Sequence, residues 1–545
     1  MEKNMRRTTL ICFLVALFLF SCSSDKDNKG SKNDGNSLQK KNGGTVVSAI
    51  SSDIDSWNTL FSQQSHGEEL RRFLFLKTLT YNENLKIRGS DFRPCLAHSW
   101  RFSEDFLNVT LYLQENLRWS DGVPITAHDV LFTYQKMIDP VIGYPHFSRF
   151  DFVDTCRVIN DYEIKFHFKE VYANELDHIN FEVLPKHVFD RVSSEEMRDH
   201  PFNENPSVVS GPYRLKRWER GQLIEFEKNP EYGFSKPHID RFIFRVIPNQ
   251  ISRLTSLKTG SVQLVQSVSP EQVESLQKDN PNLNMLIYPS LSYEYIGWLH
   301  DHPLFKDRRI RRAMTMGINR RQIVDALFHG YARECIGPVH PARKDFYNSR
   351  LKPLPYDPEQ AKSLLAEAGW TDGNDDGILD KEGKNLSFVL KTNINSQLRI
   401  DAATMIQADL KKIGVKAVLE IVEFNVMIAQ QTARDYEALI SGWSMNITFD
   451  PTDIWHSKSI ASGYNEHNYA NAAVDSLIDL GRRTLDKDKS RHIWYRFQEV
   501  LYEDQPYTFL YVKDHVDAID NRIKGVKTWP KGVYYNMEEW WIEEP

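Results

Sequence analysis

The chain of 545 residues is longer than one hydrophobic core supports, which predicts two or three domains. Its 68 Lys and Arg against 74 Asp and Glu give a net charge of −6, which argues against nucleic acid and anionic membrane surfaces as partners. With 41% hydrophobic and 26% charged residues, the composition is that of an ordinary globular protein.

The amino-terminal segment changes from apolar to polar within two residues of a cysteine. Basic residues precede an apolar run, residues 10–20, that is too short to cross a ~30 Å hydrocarbon core as a helix. A small residue, Ser21, stands at the break, as in export signals. The stretch "LFSC" resembles the bacterial lipoprotein signal. It predicts a signal peptide over 1–21 and a lipid on Cys22, with a plain secretory signal as the alternative.

The segment that follows predicts a flexible tether. Residues 22–44 hold one large apolar side chain, Leu38, among Ser, Asn, Gly, Lys and Asp. Such a composition buries too little apolar surface to offset the entropy of ordering the chain. We therefore expect an exported lipoprotein, periplasmic or at the cell surface, anchored to a membrane through Cys22.

From residue 45 onwards, strand and helix patterns alternate. Period-two alternation predicts strands, and spacings of three and four predict helices; Thr126 is a candidate N-cap, and Asp357 or Pro358 begins a helix that ends at Gly369. The predicted strands lie in 45–50, 108–119, 162–168 and 415–424, and the predicted helices in 125–138, 307–328, 357–369 and 398–414. This alternation predicts α/β lobes.

The sequence carries no recognisable catalytic motif. It has no G-x-S-x-G, H-E-x-x-H or G-x-G-x-x-G stretch, and this predicts a protein that is not an enzyme and uses no cofactor. Apart from Cys12 and Cys22, the cysteines are Cys95, Cys156 and Cys335. These three permit one disulfide and a free thiol, and they make no disulfide framework.

One acidic loop has the ligand pattern of a calcium site. Asp372, Asn374, Asp376 and Asp380 stand at positions one, three, five and nine of an EF-hand-like loop, where oxygen ligands are needed. Position twelve is Gly383 instead of the bidentate Glu, and Asp and Asn clusters also form plain turns. Calcium binding and a simple turn are therefore both open, and the missing Glu favours the turn.

Four stretches in order resemble one family. These are "CLAHSWRFSEDFLNVTLYLQENLRWSDGVPITAHDVLFTYQKM" (95–137), "SGPYRLKRWERGQLIEFEKNPEY" (210–232), "PLFKDRRIRRAMTMGINRRQIVDALFHG" (303–330) and a stretch at 468–511. Together they are similar to the extracellular solute-binding proteins, family 5, of ABC importers, which include peptide- and nickel-binding proteins.

The resemblance implies a type II periplasmic-binding-protein fold, with two α/β lobes, a hinge, and ligand enclosed between the lobes. Lobe I would comprise 45–289, with a subdomain at about 89–205. Lobe II would comprise 290–504, and residues 505–545 would return to lobe I. A binding protein of this kind needs a cleft and a hinge instead of a catalytic site.

The resemblance also indicates ligand-binding residues. In the family's peptide binders an aspartate of a W-x-x-D-Y stretch pairs with the α-ammonium of the peptide; here Trp443 matches the tryptophan and Asn446 matches the aspartate. Because Asn carries no charge, three interpretations are open: the ligand differs, a nearby carboxylate such as Asp450 or Asp453 replaces the aspartate, or Asn446 marks divergence without a change of ligand. Tyr295 matches a tyrosine that packs along the ligand, and Trp57 is a further aromatic candidate.

These features predict the binding component of an ABC importer. We expect a monomer that captures an oligopeptide or similar small solute between closing lobes and delivers it to a membrane permease. The alternatives are a receptor of the same fold for an oligosaccharide, a modified peptide or a metal chelate, and a receptor for signalling or adhesion.

Overall fold

The computed structural model describes residues 40–62, 65–82, 92–445 and 447–543. The predicted signal peptide, Cys22 and all but the end of the predicted tether lie outside the described residues. The described residues form one compact α/β unit, in agreement with the predicted fold class. None of the described helices is long and apolar enough to cross a membrane.

The strands alternate along the chain with the helices. They are β1 (Lys40–Lys41), β2 (Thr45–Ile50), β3 (Leu79–Tyr81), β4 (Phe92–Pro94), β5 (Ala97–Phe102), β6 (Asn108–Leu113), β7 (Val153–Asn160), β8 (Glu163–Phe168), β9 (Tyr213–Glu219), β10 (Leu223–Lys228), β11 (Arg241–Val246), β12 (Leu264–Val265), β13 (Leu283–Pro289), β14 (Ser292–Trp298), β15 (Ala332–Glu334), β16 (Asp380–Lys381), β17 (Lys384–Asn385), β18 (Ser387–Asn393), β19 (Lys416–Val422), β20 (Ala438–Ser444), β21 (Tyr507–Asp520), β22 (Ile523–Lys524) and β23 (Trp541–Glu543).

The helices range from one turn to 18 residues. They are α1 (Ser65–Arg71), α2 (Ala127–Met137), α3 (Glu175–His178), α4 (Gln250–Lys258), α5 (Val273–Asp279), α6 (Arg308–Gly317), α7 (Arg320–Phe328), α8 (Pro358–Glu367), α9 (Gln397–Lys412), α10 (Phe424–Ala433), α11 (Thr452–Trp455), α12 (Ser459–Ser462), α13 (Ala472–Arg483) and α14 (Lys487–Asp504), with short 3-10 helices at Phe147–Phe150, Lys186–Val188, Glu196–Asp199, Pro201–Asn203, Pro270–Gln272 and Val533–Glu539.

Capping residues define several helix ends as the sequence predicts. The Thr126 hydroxyl and the Asp129 carboxylate form a capping box at the start of α2. Asp357 caps α8 with Pro358 in its first turn, and Gly369 follows the end of that helix with a φ of 89°. The stretch 307–328 contains two helices, α6 and α7, because Ile318 has an extended backbone and Asn319 caps a new helix.

A long mixed sheet forms the backbone of the unit. Its strand order is β19-β18-β20-β14-β21-β12-β2-β11-β10-β9, and β13 and β15 also pair with β21. A separate antiparallel sheet, β5-β6-β8-β7, packs with α2 and lies within the predicted subdomain. Strands β18, β19 and β20 are parallel, so that their carboxyl ends share one edge of the sheet.

Strand β21 lies in the middle of the long sheet and joins its two halves. Its first residues pair with β14, up to Tyr511 opposite Glu294, and its later residues pair with β13, from Asp514 opposite Pro289 to Asp520 opposite Leu283. The chain therefore crosses between the two halves of the sheet at residues 289–292 and again within β21.

The hydrophobic cores divide at the same places. Two cores contain buried residues from 46–283 and 516–540, and two others contain residues from 293–512. We call the described residues up to 289 and from 513 onwards lobe I, and residues 290–512 lobe II. The predicted boundaries at 289, 504 and about 89–205 stay predictions. Leu510 and Val512 pack in the cores of lobe II, and Val516 and Ala518 in a core of lobe I.

Candidate functional site

A fifth group of apolar side chains joins the two lobes. We call it the interlobe cluster; it consists of Leu291, Ile447, Trp529 and Tyr535, with Tyr81, Ala342 and Met445 packed against it. The rings of Trp529 and Tyr535 stack with centroids 4.7 Å apart, and Tyr81 lies 6.3 Å from Trp529. Lobe I thus presents aromatic rings to Ile447 of lobe II at the place where the chain crosses between the lobes.

Polar atoms at the interlobe cluster are only partly satisfied. The Tyr535 hydroxyl donates to the Tyr81 carbonyl and accepts from the Arg93 guanidinium at 3.0 Å. The indole nitrogen of Trp529 is buried and has no hydrogen-bond partner in the part of the chain that the structure describes. The indole nitrogens of Trp57 and Trp443 are likewise buried without a hydrogen-bond partner among the described residues.

Tyr295 and Trp443 lie next to each other on one face of the lobe II sheet. Tyr293 is opposite Trp443 and Tyr295 is opposite Ser441 in the β14–β20 ladder, so all of them share a face. The Tyr295 ring stacks on Tyr507 at 4.2 Å and is parallel to Trp443 at 6.5 Å. Tyr295 is fully buried, whereas Trp443 is half-buried. The structure therefore places Tyr295 behind Trp443, and Trp443 offers the accessible ring.

The predicted ligand residue Asn446 lies outside the described residues. Met445 and Ile447 pack with the interlobe cluster. Tyr464, which is 46% exposed, contacts Trp443 with centroids 5.7 Å apart. Trp443, Tyr464 and the interlobe cluster are thus the described aromatic groups around this part of lobe II.

Asp450, the predicted replacement carboxylate, already has partners. It accepts a hydrogen bond from the Tyr172 hydroxyl at 2.7 Å and from the Thr452 backbone N–H at 2.9 Å, and the Arg482 guanidinium lies 3.2 Å away. Burial raises the pKa of the Asp450 carboxyl, but Arg482 and the hydrogen bonds outweigh it, and the net pKa is lowered. A carboxylate engaged in this way is poorly placed to receive a ligand ammonium. Its binding role stays a prediction that these contacts do not favour.

These contacts join the lobes. Tyr172 belongs to lobe I, whereas Asp450 and Arg482 belong to lobe II. The Arg482 guanidinium also lies over the ring of Phe152, 4.2 Å from its centroid, and Phe152 stacks on Tyr172 at 4.6 Å. We call Phe152, Tyr172, Asp450 and Arg482 the outer contact. Its geometry requires the lobes to be close together.

A second set of polar groups lies nearer to the interlobe cluster. Glu68 pairs with Lys77, Oε1 to Nζ 2.6 Å, while Asp177 accepts hydrogen bonds from the hydroxyls of Tyr81 and of Thr448 in lobe II. The positive charges of Lys77 and Arg72 lower the pKa of the Glu68 carboxyl, although burial alone would raise it.

Arg72 and Lys531 complete this set. Burial is the largest cause that lowers the pKa of the Lys531 ammonium, and the carboxylates of Glu68 and Asp177 offset it only in part. We call Glu68, Arg72, Lys77, Asp177 and Lys531 the inner recess.

Trp57 is far from this arrangement in the fold. It is fully buried in a lobe I core, against Trp218 at 5.4 Å and Phe226 at 5.5 Å, both in the β9–β10 hairpin. The structure does not bring it together with Tyr295 and Trp443. This placement indicates a packing role, and the predicted ligand-binding role gains no support from it.

Comparison with known proteins shows the family to which the chain belongs. Residues 91–465 match the model of the bacterial extracellular solute-binding proteins, family 5, middle region. The oligopeptide-binding protein AppA of Bacillus subtilis is 31% identical over 98% of this chain and 99% of its own length. This protein belongs to family 5 of the extracellular solute-binding proteins.

Solved structures agree with this assignment. The structure of B. subtilis AppA in complex with a nonapeptide matches with a TM-score of 0.80 over 93% of this chain and all of that chain. NikZ of Campylobacter jejuni in complex with Ni(L-His) matches with a TM-score of 0.79 at 25% identity, over 91% of this chain and 99% of that chain. The predicted type II periplasmic-binding-protein fold is confirmed. This family 5 protein is a solute-binding protein of an extracellular family and not an enzyme.

The acidic loop of this family 5 protein is held by its own backbone. Asp372 accepts hydrogen bonds from the N–H groups of Asp376 and Gly377, and Asp380 accepts one from Gly373. The Asn374 side chain bonds to Asp376. Among the described residues, no group of three or more His, Cys, Asp or Glu side chains is placed to hold a metal ion. Calcium binding stays a prediction, and the contacts are those of a turn.

The cysteines have no role in the candidate site. Cys95, Cys156 and Cys335 are all free thiols. Burial raises the pKa of each thiol, which favours its protonated form.

Two parts of the site were not predicted from the sequence. Lys531 of the inner recess is more than 350 residues from Asp177, and Tyr172 of the outer contact is 278 residues from Asp450. Neither pairing leaves a local motif. The sequence signal was the short run Pro-Lys-Gly at 530–532, which follows Trp529 and contains two turn-forming residues.

Proposed function

We propose that this protein is the ligand-capturing lipoprotein of an ABC importer and that its ligand is an oligopeptide. The observation that carries the proposal is the 31% identity, over nearly the whole of both chains, to an oligopeptide-binding protein whose solved structure holds a nonapeptide. The interlobe cluster supports it, because its aromatic rings and the unpartnered Trp529 indole suit a ligand with apolar side chains and a polar backbone.

Capture proceeds through closure of the lobes. The outer contact and the hydrogen bond from Thr448 to Asp177 at 2.6 Å form only when the lobes approach each other. A ligand held between the lobes adds contacts to that state alone, and therefore shifts the population toward it. The permease then recognises the closed form, in which groups of both lobes make one surface.

Anchoring keeps the protein beside its permease. Cleavage after Ser21 leaves Cys22 as the lipidated residue, and residues 23–44 give the binding unit its reach from the membrane. Mass spectrometry of the protein from its own host tests this part. A diacylglyceryl mass on Cys22 is expected, and an unmodified cysteine or a cleavage elsewhere contradicts it.

The ligand is tested on full-length protein purified gently from its own host in detergent. Native mass spectrometry followed by denatured release is expected to yield a ladder of short peptides with free amino termini. A Cys22→Ser variant made in the same host is the control, because it changes only the anchor and is expected to carry the same peptides. Release of no peptide from either form overturns the proposal.

A second candidate is a ligand without a free α-amino group. Asn446 stands where the family's peptide binders have an aspartate, and the structurally similar NikZ holds Ni(L-His). Release of a metal chelate, an oligosaccharide or peptides with blocked amino termini would favour this candidate. A ladder of peptides with free termini would exclude it.

A further inference from the structure

The last three strands of the long sheet, β9, β10 and β11, have one buried face and one charged face. On the buried face, apolar side chains such as Phe226 and Phe242 pack in the lobe I core. Alternate residues point to the opposite face, since successive side chains of a strand lie on opposite sides of a sheet. We call that face the basic face; it consists of Arg214, Lys216, Arg217, Glu219, Glu225, Glu227, Arg241 and Arg245.

In the basic face the cations lie outside the carboxylates. Glu225 has three cations around it: Lys216 at 3.1 Å, Arg217 at 3.7 Å and Arg241 at 3.7 Å. The Glu225 side chain is only 9% exposed, whereas those three cations are 43–52% exposed. The carboxylates are therefore covered, and the layer that meets solvent is made of ammonium and guanidinium groups.

The charges of the basic face do not cancel. It holds five cations and three carboxylates, and Arg245 is exposed and forms no ion pair with any residue that the structure describes. The segment 213–246, which contains the three strands and their connections, has eight Lys and Arg against five Asp and Glu, a net charge of +3. The whole chain has a net charge of −6, so the sign of this face is opposite to that of the molecule.

The surroundings of the basic face do not reverse its sign. At its edges, Lys228 pairs with Asp240 and Arg220 pairs with Glu204, and Asp53 accepts a hydrogen bond from the Gly221 N–H at the β9–β10 turn. On the same side of the sheet, α4 packs over Ala49, the β2 residue opposite Arg245. This helix contributes two cations, Arg253 and Lys258, and no carboxylate.

The chain enters lobe I next to the basic face. Thr45, the first residue of β2, stands opposite Arg241, and the Gly44 N–H donates to the Asp240 carboxylate at 3.0 Å. The predicted tether before this point, residues 22–39, has 18 residues. As a coil it would span about 25 Å and fully extended about 60 Å, against a radius of gyration of about 23 Å for a unit of this size. A membrane that holds Cys22 is therefore within reach of the face.

We propose that the basic face binds the phosphate groups of anionic lipids in the membrane to which the protein is anchored. This inference rests on the proposed function, since it requires the lipid anchor on Cys22. The anchor fixes the distance of the protein from the membrane, and the basic face adds an orientation. Strand β9 is the edge of the long sheet farthest in strand order from lobe II, so a lobe I held in this way leaves lobe II free to close.

The experiment measures binding to vesicles without the anchor. The protein is residues 23–545, which contain the whole described unit and lack both the signal peptide and the lipidated cysteine. Flotation is compared between vesicles of phosphatidylcholine and vesicles of phosphatidylcholine and phosphatidylglycerol in equal parts. We expect binding to the mixed vesicles to be at least about tenfold tighter at low salt, and the difference to disappear above ~0.5 M salt.

Paired variants assign the binding to this face. Arg217→Gln combined with Arg245→Gln removes two of its cations, and Glu225 keeps its other two partners. Each cation near an anionic surface contributes about fivefold, so binding is expected to fall by about 25-fold. The control is Arg321→Gln combined with Arg496→Gln, which changes the net charge equally on lobe II, where these side chains are 72% and 66% exposed. The control is expected to bind as the wild type does.

The orientation is tested on the lipidated protein in the same two kinds of vesicle. Amide hydrogen exchange is expected to be slower in β9 when phosphatidylglycerol is present, because one side of this edge strand has no neighbouring strand among the described residues. Equal exchange in both kinds of vesicle would contradict the proposed orientation.

The outcomes separate this proposal from the proposed function. Equal binding of residues 23–545 to both kinds of vesicle, or equal losses in the two paired variants, overturns the basic face as a lipid site and leaves the proposed function standing. An unmodified Cys22 in protein from the host overturns the anchor, and it is read from the mass of that residue independently of any vesicle.

Discussion

Two of the places where the lobes meet differ in how completely their polar groups are satisfied. In the outer contact, the Asp450 carboxylate has Tyr172, Arg482 and Thr452 as partners, so this contact is complete without a further molecule. In the inner recess, Lys531 has no partner among the described residues. The outer contact therefore joins the lobes through groups that are all paired, whereas the recess joins them through the Thr448–Asp177 hydrogen bond and leaves Lys531 unpaired.

This difference has a functional reason. A binding protein whose lobes closed fully without ligand would bind its solute slowly. A ligand that adds contacts only to the closed form shifts the population toward it, and this needs a differential affinity of a few kcal/mol.

The largest effect is expected from Arg482→Met, which breaks the outer contact. Without the guanidinium, the Asp450 carboxylate, 19% exposed, stays beside Tyr172 in the closed form without a cation. Breaking a buried pair in this way costs about 3–5 kcal/mol. We expect peptide affinity, measured by titration calorimetry, to fall by about 100-fold or more. An unchanged affinity would mean that the outer contact has no part in closure.

The next largest effect is expected on stability and concerns Glu69 of α1, which follows Glu68 of the inner recess in the chain. Burial and the nearby Asp517 raise its pKa from 4.5 to about 7, against weak hydrogen bonds from Gln266 and the Tyr534 N–H. Between pH 4.5 and about 7, Glu69 is therefore more often protonated in the folded protein than in the unfolded chain. Stability from this group is present below pH 4.5 and is lost as the pH rises to about 7.

Replacing this carboxyl tests that pH dependence. Glu69→Gln is expected to raise the free energy of unfolding at pH 8 by about 3 kcal/mol and to change it little at pH 4. The measurement is urea unfolding at the two pH values, with Glu68→Gln as the control. The control is expected to destabilise, because the pKa of Glu68 is lowered by Lys77. Equal effects of Glu69→Gln at both pH values would contradict the assignment.

A smaller effect is expected from Tyr172→Phe in the outer contact. The ring and its stacking on Phe152 at 4.6 Å are kept, and only the hydrogen bond to Asp450 is removed. Hydrogen bonds to charged groups are worth about 1.5–3 kcal/mol, so we expect a loss of about tenfold in peptide affinity. A loss as large as that of Arg482→Met would show that the hydroxyl, and not the cation, holds the lobes together.

The smallest effect is expected from Arg483→Met, which matches Arg482→Met one position along the chain. The Arg483 guanidinium pairs with Glu170 across the lobes at 2.6 Å, but its side chain is 59% exposed. Exposed pairs contribute about 1 kcal/mol or less. We expect peptide affinity to change less than fivefold and to become insensitive above ~0.5 M salt. A larger effect would place the main closure contact at the surface.

Local features of the fold were readable in the sequence. Thr126, Asp357 and Gly369 mark helix ends through groups within a few residues of each other, and the structure confirms all three. The break at Ile318 was less visible, because hydrophobic spacing continues through it from α6 into α7. Capping residues thus allow helix ends to be predicted from the sequence. A continuous apolar pattern, in contrast, hides a break between two consecutive helices.

The candidate site was predicted less well. Trp443 was found because the family resemblance marks its position, whereas Trp57 was chosen by residue type, and its place in a core depends on β9 and β10 more than 150 residues away. The partner Tyr172 of Asp450 and the charged neighbours of Lys531 come from distant segments, and the charges of Asp450 and Lys531 alone do not reveal what they face. Pairings of this range are set by the topology of the chain, which the local pattern does not encode.

The path of β21 through both lobes has a consequence for the order of folding on the ribosome. Lobe II is one continuous segment, residues 290–512, and its part of the strand, up to Tyr511, emerges with the rest of that lobe. Lobe I is interrupted, because β12, which pairs with β2 on one side, gains its neighbour on the other side only when residues 514–520 follow, and β13 pairs with the same residues. The inserted lobe is therefore ready to fold first during synthesis, and the lobe begun first waits for the last strand of the long sheet.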